Sequence, residues 1–358
     1  MAKQFLILSN MYPTTKTPTQ GVFVKNIEMA LQSSGMDVER VVLAGRHDSY
    51  VLKAFFYLKY IIQAFIRLLF TRRIVYLHYV AHSSIPVLIA SLFRNLSIVA
   101  HVHGGDVLPA EYEPEWVRNI KLSISRRALK KAGKIIVPSK YFCQLLIEKF
   151  DIPSEIIEVN PSGGVDTKKF KPRESKQPSF AAENRLILGY VGRLDSGKGI
   201  ETLIAALKKL DVDFCCHFVG TGVRGEDFKK LTKTLELADK VIFHGAVPQA
   251  QLPEFYTKFD YLVFPSEMQE SLGLVGLEAM ACGVPVIGTM NAGMADYLVD
   301  QQNGIGFSSG SVDSLVNRIM YSCSLTAEEY LELCHCARKT ALQYDAQTSN
   351  THLMEILH

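Results

Sequence analysis

Two glutamates, Glu270 and Glu278, have the chemistry and spacing of a site for a ligand that carries both negative charge and hydroxyl groups. Glu270 ends a polar stretch, and Glu278 lies in an apolar segment with helical periodicity. Because their spacing is about two helical turns, we expect both carboxylates on one helix face. Carboxylates accept hydrogen bonds from hydroxyls, whereas amides at a helix start bind anions. This combination favours a nucleotide sugar.

The elements around this pair predict where such a ligand would bind. The apolar run Tyr261 to Phe264 is typical of a strand, and Gly273 opens a helix that stops at Gly283. The loop between them would lie at the carboxyl end of the strand, where open parallel sheets bind ligands. The amides expected to hold a diphosphate belong to Ser271, Leu272, Gly273 and Leu274.

Two cations occur in a second loop of the same kind. Gly192-Arg193-Leu194-Asp195-Ser196-Gly197-Lys198-Gly199 follows a predicted strand at Leu186 to Val191 and precedes a helix near Ile200. Arg193 and Lys198 would neutralise the charge that develops on a departing nucleoside diphosphate. Asp211 and Asp213 have the spacing of a metal-binding pair, but they precede the next strand, away from the ligand edge of the sheet.

Taken together, these motifs resemble the donor site of glycosyltransferase family four. The resemblance rests on Glu270-x7-Glu278 followed by Ala-Met-Ala-Cys-Gly-Val-Pro-Val-Ile, and on Gly-Arg-Leu-x3-Lys-Gly. It implies an α/β protein with two facing Rossmann-like domains, the glycosyltransferase-B fold, with a cleft between them. The family's usual Gly-Phe after the first glutamate is Ser271-Leu272 here, a departure in the sugar pocket.

The resemblance also implies roles for single residues. Glu270 would contact the sugar hydroxyls, Glu278 the ribose, and the backbone at Gly245 and Val247 the base. His103 would face the transferred sugar from the first domain, and Gly21 would lie close to the donor phosphates, although a plain turn explains Gly21 equally well. No cofactor or metal is expected.

Histidine spacing leaves a zinc site as an alternative. His101-x-His103 and His78-x3-His82 have ligand-like spacing, but no carboxylate or cysteine completes an obvious set. His103 could also be an ordinary hydrogen-bonding loop residue.

The domain boundaries follow from composition. We predict an acceptor-binding domain over 1–166, a polar linker over 167–184, and a nucleotide-sugar domain over 185–340. A helix over 341–358 is expected to cross back to the first domain.

Charge and hydrophobicity raise the question of a membrane. Residues 1–165 contain 20 Lys/Arg against 12 Asp/Glu, whereas the remainder contains 19 against 24. Residues 51–73 are a candidate peripheral membrane contact, because helix 51–70 is apolar over a wide face with Lys53, Lys59, Gln63 and Arg67 on one arc. Packing against the sheet is the competing interpretation. Basic residues are not interleaved with aromatics, so nucleic acid is not expected as a partner.

The expected cellular location follows from the lack of a long apolar stretch and of a signal-peptide pattern. It contains no uncharged stretch of 18 apolar residues, and the short apolar run near Met1 predicts a strand rather than a signal peptide. Seven cysteines without framework spacing favour reduced thiols. We therefore expect a cytoplasmic protein, at the inner face of the membrane if helix 51–70 contacts lipid.

The resemblance thus implies a retaining, metal-independent glycosyltransferase with a nucleoside-diphosphate donor, UDP by family prevalence, and a lipid-linked saccharide or polysaccharide acceptor. Two alternatives stay open. A nucleotide-sugar epimerase or hydrolase on the same fold would convert the donor without an acceptor. A non-catalytic nucleotide-sugar-binding scaffold at the membrane would bind the donor without turnover.

Overall fold

The computed structural model describes residues 3–15, 17, 20–45, 49–109, 113–161, 163–172 and 185–358. Of the predicted linker over 167–184, residues 173–184 lie outside this range. The chain divides into two compact units, one formed by Met1–Gly163 with Ser349–His358, and the other by Gly164–Thr348.

The first unit is a six-stranded parallel sheet with helices between its strands. Its spatial order is β2-β1-β3-β4-β5-β6. The strands are β1 (Gln4–Ser9), β2 (Asp37–Val42), β3 (Ile74–His78), β4 (Ile98–His101), β5 (Lys134–Val137) and β6 (Ile157–Val159). The helices between them are α1 (Val22–Ser33), α2 (Tyr50–Phe70), α3 (Val80–Ala90), α4 (Glu115–Leu129) and α5 (Lys140–Phe150). A short continuous apolar run, Phe-Leu-Ile-Leu, forms β1, because both faces of the sheet are covered there.

The second unit repeats this architecture in a different order. Its sheet runs β12-β11-β10-β7-β8-β9. The strands are β7 (Leu186–Val191), β8 (Phe214–Val219), β9 (Val241–Gly245), β10 (Tyr261–Phe264), β11 (Val286–Thr289) and β12 (Gly304–Phe307). The helices are α6 (Ile200–Lys209), α7 (Gly225–Thr234), α8 (Leu252–Tyr256), α9 (Leu274–Ala281), α10 (Val312–Ser324) and α11 (Ala327–Gln343). Two parallel Rossmann-like sheets confirm the predicted fold class.

The strand order fixes where each sheet can bind a ligand. In the second unit the direction of progression reverses between β7 and β10, which are neighbours in space but distant in sequence. In the first unit it reverses between β1 and β3. Crevices at the carboxyl ends of strands flanking such a reversal are the usual ligand sites of open α/β sheets.

Two segments lie near the ends of the two units, one around Val165 and the other after Asp345. Val165 and Phe170 are buried in a core cluster of the second unit, which begins at Gly164. Helix α12 (Ala346–Leu357) brings Leu353 and Ile356 into a core cluster of the first unit. Lys3 Nζ donates to the carbonyl of Leu357 over 3.0 Å, which ties the helix to the residue before β1.

Helix α2 was the element with two competing interpretations. Tyr60, Ala64 and Leu68 are buried, as packing against the sheet requires, yet several large apolar side chains of the same helix are exposed. Across the described residues, no helix combines the length and apolarity needed to cross a membrane.

Gly199 shows how closely the loops of the second unit approach each other. Its backbone is left-handed, with φ +67°, and a Cβ here would lie 1.9 Å from the carbonyl oxygen of Pro265. Gly310 has nearly the same φ, +71°, but its nearest neighbours would lie 4.0 Å away. Substitutions at these two positions therefore distinguish the cost of a left-handed backbone, which both share, from the cost of steric overlap, which only Gly199 has.

We expect Gly199→Ala to lower the free energy of unfolding by about 3 kcal/mol, because overlap adds to a left-handed penalty of about 1 kcal/mol. Gly310→Ala, the matched control, should lose only about 1 kcal/mol. Urea denaturation of both variants measures the difference. If both variants lost the same unfolding free energy, the loop following β7 would have to move freely away from Pro265.

Candidate functional site

The loops after β7 and β10 form the candidate site of the second unit. They leave the two strands between which the sheet order reverses. The amides of Glu267 and Met268 both donate to the carbonyl of Gly197, over 2.9 and 3.2 Å. This backbone contact explains why a glycine is needed at Gly199, where the first loop passes over Pro265.

Lys198 and Glu270 meet across these loops. The Lys198 Nζ lies 2.7 Å from Glu270 Oε1, and only 16% and 17% of the two side chains is exposed. Ser266 also donates to the same oxygen over 2.6 Å. An ammonium group has three hydrogens, so Lys198 can keep this bond and still donate to an anion.

Arg193 lies in the same loop but has a different environment. Its side chain is 70% exposed, and its guanidinium donates a hydrogen bond to Asp195 over 2.7 Å. The other carboxylate oxygen of Asp195 accepts the amide of Val223 over 2.9 Å, which ties the loop after β7 to the one after β8. Arg193 is thus an exposed cation on a fixed loop, available to an anionic ligand.

Glu278 belongs to α9, whereas Glu270 lies outside that helix. The prediction that the two carboxylates share one helix face is therefore wrong. Gly273 adopts a left-handed conformation, φ 78°, immediately before α9, and Glu270 lies in the loop before it. Glu278 instead accepts bonds from the Tyr256 hydroxyl over 2.9 Å and from the Gln249 amide over 3.3 Å. Sequence spacing predicted neither partner, although Gln249 lies two residues after Val247 in the same loop.

The remaining candidates lie around the same edge. Gly245 ends β9 with φ 73° and has open space where a Cβ would be, and Val247 is half-buried just beyond it. The side chain of Leu272 is 1% exposed, so only its backbone can reach a ligand. Ser271, Gly273 and Leu274 are partly exposed at the start of α9, whose first amides lack helical acceptors.

In the first unit, His103 follows β4 and is packed among aromatic rings. Its ring centroid lies 4.3 Å from that of Phe23 and 5.0 Å from that of Tyr79. Phe23 belongs to the first turn of α1, directly after Gly21. Gly21 has φ +71°, and a Cβ there would lie 2.7 Å from the Met11 backbone. The structure therefore brings Gly21 and His103 into one neighbourhood.

Asp106 supports this loop rather than facing a ligand. Its side chain is buried and accepts the amides of Gly104, over 2.8 Å, and of His103 and Val80, both over 3.1 Å. Because Val80 is the first residue of α3, this carboxylate joins the loop after β4 to the helix after β3.

Three imidazoles lie together here, in a combination that sequence spacing did not predict. The β3–β4 register pairs His78 with His101, and His78 Nδ1 lies 3.0 Å from His103 Nε2. One ring nitrogen of each histidine lies within 4.8 Å of the others, so these residues could hold a metal ion. Spacing had suggested His82 as the partner of His78. The sheet register instead supplies His101 and His103.

Burial keeps these imidazoles neutral. It lowers the pKa of His101 to about 3, and it lowers the pKa of His103 well below its ordinary value, with smaller effects from His101 and His78. Among the described residues, the Nε2 atoms of His78 and His101 have no hydrogen-bond partner.

Acid should therefore destabilise the first unit through His101. The unfolded chain takes up a proton below a pKa of about 6.5, whereas the folded one resists it, so stability is lost as pH falls. Between about pH 7 and pH 5, His101→Gln should lose about 2 kcal/mol less unfolding free energy than the unsubstituted protein. Denaturation series at both pH values test this. His352 is an exposed imidazole of the same unit. The control variant His352→Gln should lose as much unfolding free energy between the two pH values as the unsubstituted protein.

Glu278 should show the opposite dependence. Burial raises its pKa, although bonds from Tyr256 and Gln249 oppose the shift. Its contribution to stability is full below an unfolded pKa of about 4.3 and is lost as pH rises. We expect Glu278→Gln to have a higher melting temperature than the unsubstituted protein at neutral pH. This difference in melting temperature should vanish in acid. Exposed Glu254 provides the control variant, Glu254→Gln. A lower melting temperature for Glu278→Gln at neutral pH would contradict this account.

Comparison with known proteins adds to the geometry. Residues 20–169 match a family model described as Glycosyltransferase Family 4, and residues 172–339 match one described as Glycosyl transferases group 1.

Two curated relatives share part of the chain. A GDP-mannose-dependent alpha-(1-6)-phosphatidylinositol monomannoside mannosyltransferase of Mycolicibacterium smegmatis is 28% identical over 62% of this chain and 59% of its own length. A lipopolysaccharide 1,2-N-acetylglucosaminetransferase of Salmonella typhimurium is 28% identical over 63% of this chain and 57% of its own. The match therefore spans less than two thirds of either relative.

Among solved structures, Anabaena HepE in complex with UDP and glucose has a TM-score of 0.74 and 20% identity, covering 100% of this chain and 99% of that one. This likeness shows the fold. With both family models matched in succession along the sequence, the chain belongs to glycosyltransferase family 4.

Proposed function

We propose that this protein is a retaining glycosyltransferase. It transfers a sugar from a nucleoside-diphosphate donor, with UDP as the first candidate nucleotide, to a hydroxyl of a lipid-linked saccharide or a polysaccharide. The observation that carries the proposal is the Lys198–Glu270 pair, 2.7 Å apart on the two loops at the β7/β10 reversal. It offers a cation for phosphate and a carboxylate for sugar hydroxyls at one point.

The known relatives support the two substrate classes. The mycobacterial relative is named for a GDP-mannose donor and a phosphatidylinositol glycolipid, and the Salmonella relative for lipopolysaccharide. The Anabaena neighbour was solved with UDP and glucose. The mycobacterial and Anabaena proteins thus share a nucleoside diphosphate, and the mycobacterial and Salmonella relatives share a lipid-bearing glycan.

The reaction breaks the bond between the sugar's anomeric carbon and the diphosphate, and forms one from that carbon to the acceptor oxygen. Negative charge grows on the leaving diphosphate, and Lys198 and the exposed Arg193 neutralise it. Amides of residues 271–274 add hydrogen bonds at the start of α9. The acceptor's proton passes to the leaving phosphate, and retention of configuration follows from the family resemblance.

The other candidate residues hold the donor. Glu270 accepts hydrogen bonds from the sugar hydroxyls, and Glu278 from the ribose, while the backbone at Gly245 and Val247 meets the base. For His103 we propose a hydrogen bond to the transferred sugar, and for Gly21 close approach of the backbone to the phosphates. The proposal assigns no metal to Asp211 and Asp213, because they precede β8, at the edge opposite the loops.

The test is a thermal-shift panel with UDP, GDP, ADP and CMP. At a hundredfold excess over its dissociation constant, one diphosphate should stabilise the protein by about 2.7 kcal/mol, a shift of roughly 5–10 °C. Lys198→Met should abolish most of that shift. Glu270→Gln should keep the response to the nucleotide and lose turnover, since it removes the carboxylate that binds the sugar.

Lys208→Met is the matched control, because it breaks an exposed Lys–Glu pair on the helix that follows the same loop. It should respond to nucleotide like the unsubstituted protein. A panel in which no diphosphate raises the melting temperature would overturn the proposal. Conversion of a donor sugar without any acceptor would instead assign an epimerase or hydrolase. Binding without turnover would assign a scaffold.

A further inference from the structure

Helix α2 carries apolar side chains on two opposite faces, although only one of them packs against the protein. Tyr60, Ala64 and Leu68 recur every four residues and are buried. At about 100° per residue, Ile62 lies about 200° around the helix from Ala64, on the outer side. The outer side chains are all 48–78% exposed, and they are Val51, Leu52, Phe55, Leu58, Ile62, Ile66 and Phe70.

A neighbouring turn extends this surface. Leu92 and Phe93, just after α3, are 78% and 70% exposed. Arg94 donates to the carbonyl of Leu69 over 2.8 Å, and the rings of Phe65 and Phe93 lie 6.2 Å apart. The turn is therefore held against the C-terminal half of α2. The seven outer residues together with Leu92 and Phe93 are called the α2 patch below.

The α2 patch is too concentrated to be ordinary surface. Its nine members are nearly half of the 20 large apolar side chains that are exposed in the described part of the chain. Single exposed apolar residues are normal, whereas a contiguous group of this kind marks a docking surface for a partner or a membrane.

Charge around the α2 patch indicates the kind of partner. Residues 49–105 contain no Asp or Glu, whereas they contain Lys53, Lys59, Arg67, Arg72, Arg73 and Arg94. Arg67 and Arg73 bind carboxylates of β2, namely Glu39 and Asp37. Within the described ranges, no ion pair engages Lys59 or Arg72, which lie beside the outer stripe and just past the helix end.

We propose that the α2 patch docks on an anionic lipid bilayer. Helix α2 lies in the plane of the interface, its outer apolar side chains enter the acyl region, and Lys59 and Arg72 meet lipid phosphates. An anionic surface suits an apolar stripe beside which Lys59 and Arg72 are cations without an ion pair among the described residues. A second copy of this chain does not, because a two-fold contact through the stripe would bring equal cations together. The proposal does not depend on the enzymatic activity.

The experiment is co-sedimentation of the full chain with phosphatidylcholine vesicles, with and without phosphatidylglycerol. We expect binding to the vesicles that contain phosphatidylglycerol, and weakening with added salt. The triple variant Leu58→Ser, Ile62→Ser, Ile66→Ser should lower the partition coefficient by about tenfold or more. Lys59→Ala and Arg72→Ala should each lower it by about fivefold, and only for the anionic vesicles.

Val223→Ser with Ile242→Ser is the matched control, because both side chains are exposed apolar residues of the second unit. It should bind vesicles like the unsubstituted protein. Unchanged binding of the triple variant would overturn the proposal. So would a dimer in sedimentation velocity that the triple variant abolishes while vesicles capture neither protein, since that result would assign the α2 patch to self-association.

Discussion

The backbone contact between the loops after β7 and β10 is the constraint on which the candidate site depends. One carbonyl, that of Gly197, accepts two amides of the other loop, and Gly199 lies where any Cβ would overlap Pro265. These contacts hold the two chain segments at a fixed separation, although the contacting residues are 66 or more positions apart in sequence. Lys198 and Glu270 consequently face each other before any ligand arrives, so the site does not have to be assembled on binding.

Local patterns predicted the parts of this arrangement that depend on local sequence. The strand at Leu186–Val191, the start of α6 at Ile200 and the loop carrying Arg193 and Lys198 all appear where apolar runs and glycines indicated them. Helix α9 ends at Ala281, two residues before the glycine, Gly283, that predicted its end. The spatial neighbours could not be predicted in the same way. Tyr256 reaches Glu278, and His78 reaches His101, through packing and strand register that no short pattern encodes.

Two further differences have distinct physical causes. Counting residues placed Glu270 and Glu278 on one helix face, but a single left-handed residue, Gly273, starts the helix after Glu270. For α2, apolarity alone could not separate burial from exposure, since both faces of the helix are apolar. Only the sheet's position determines that Tyr60 turns inward and Ile62 outward. Side-chain chemistry was therefore easier to infer than the direction in which each side chain points.

The return of the last helix to the first unit has a consequence for biosynthesis. Leu353, Ile356 and Leu357 belong to the same cluster as Phe5 and Ile7, yet they are translated after the whole of the second unit. The second unit is one uninterrupted segment, so the ribosome supplies all of its core before the first unit has all of its own. Part of the sheet of the nascent first unit therefore stays uncovered until the last helix has been translated. A chaperone would bind this exposed apolar surface at that stage of synthesis.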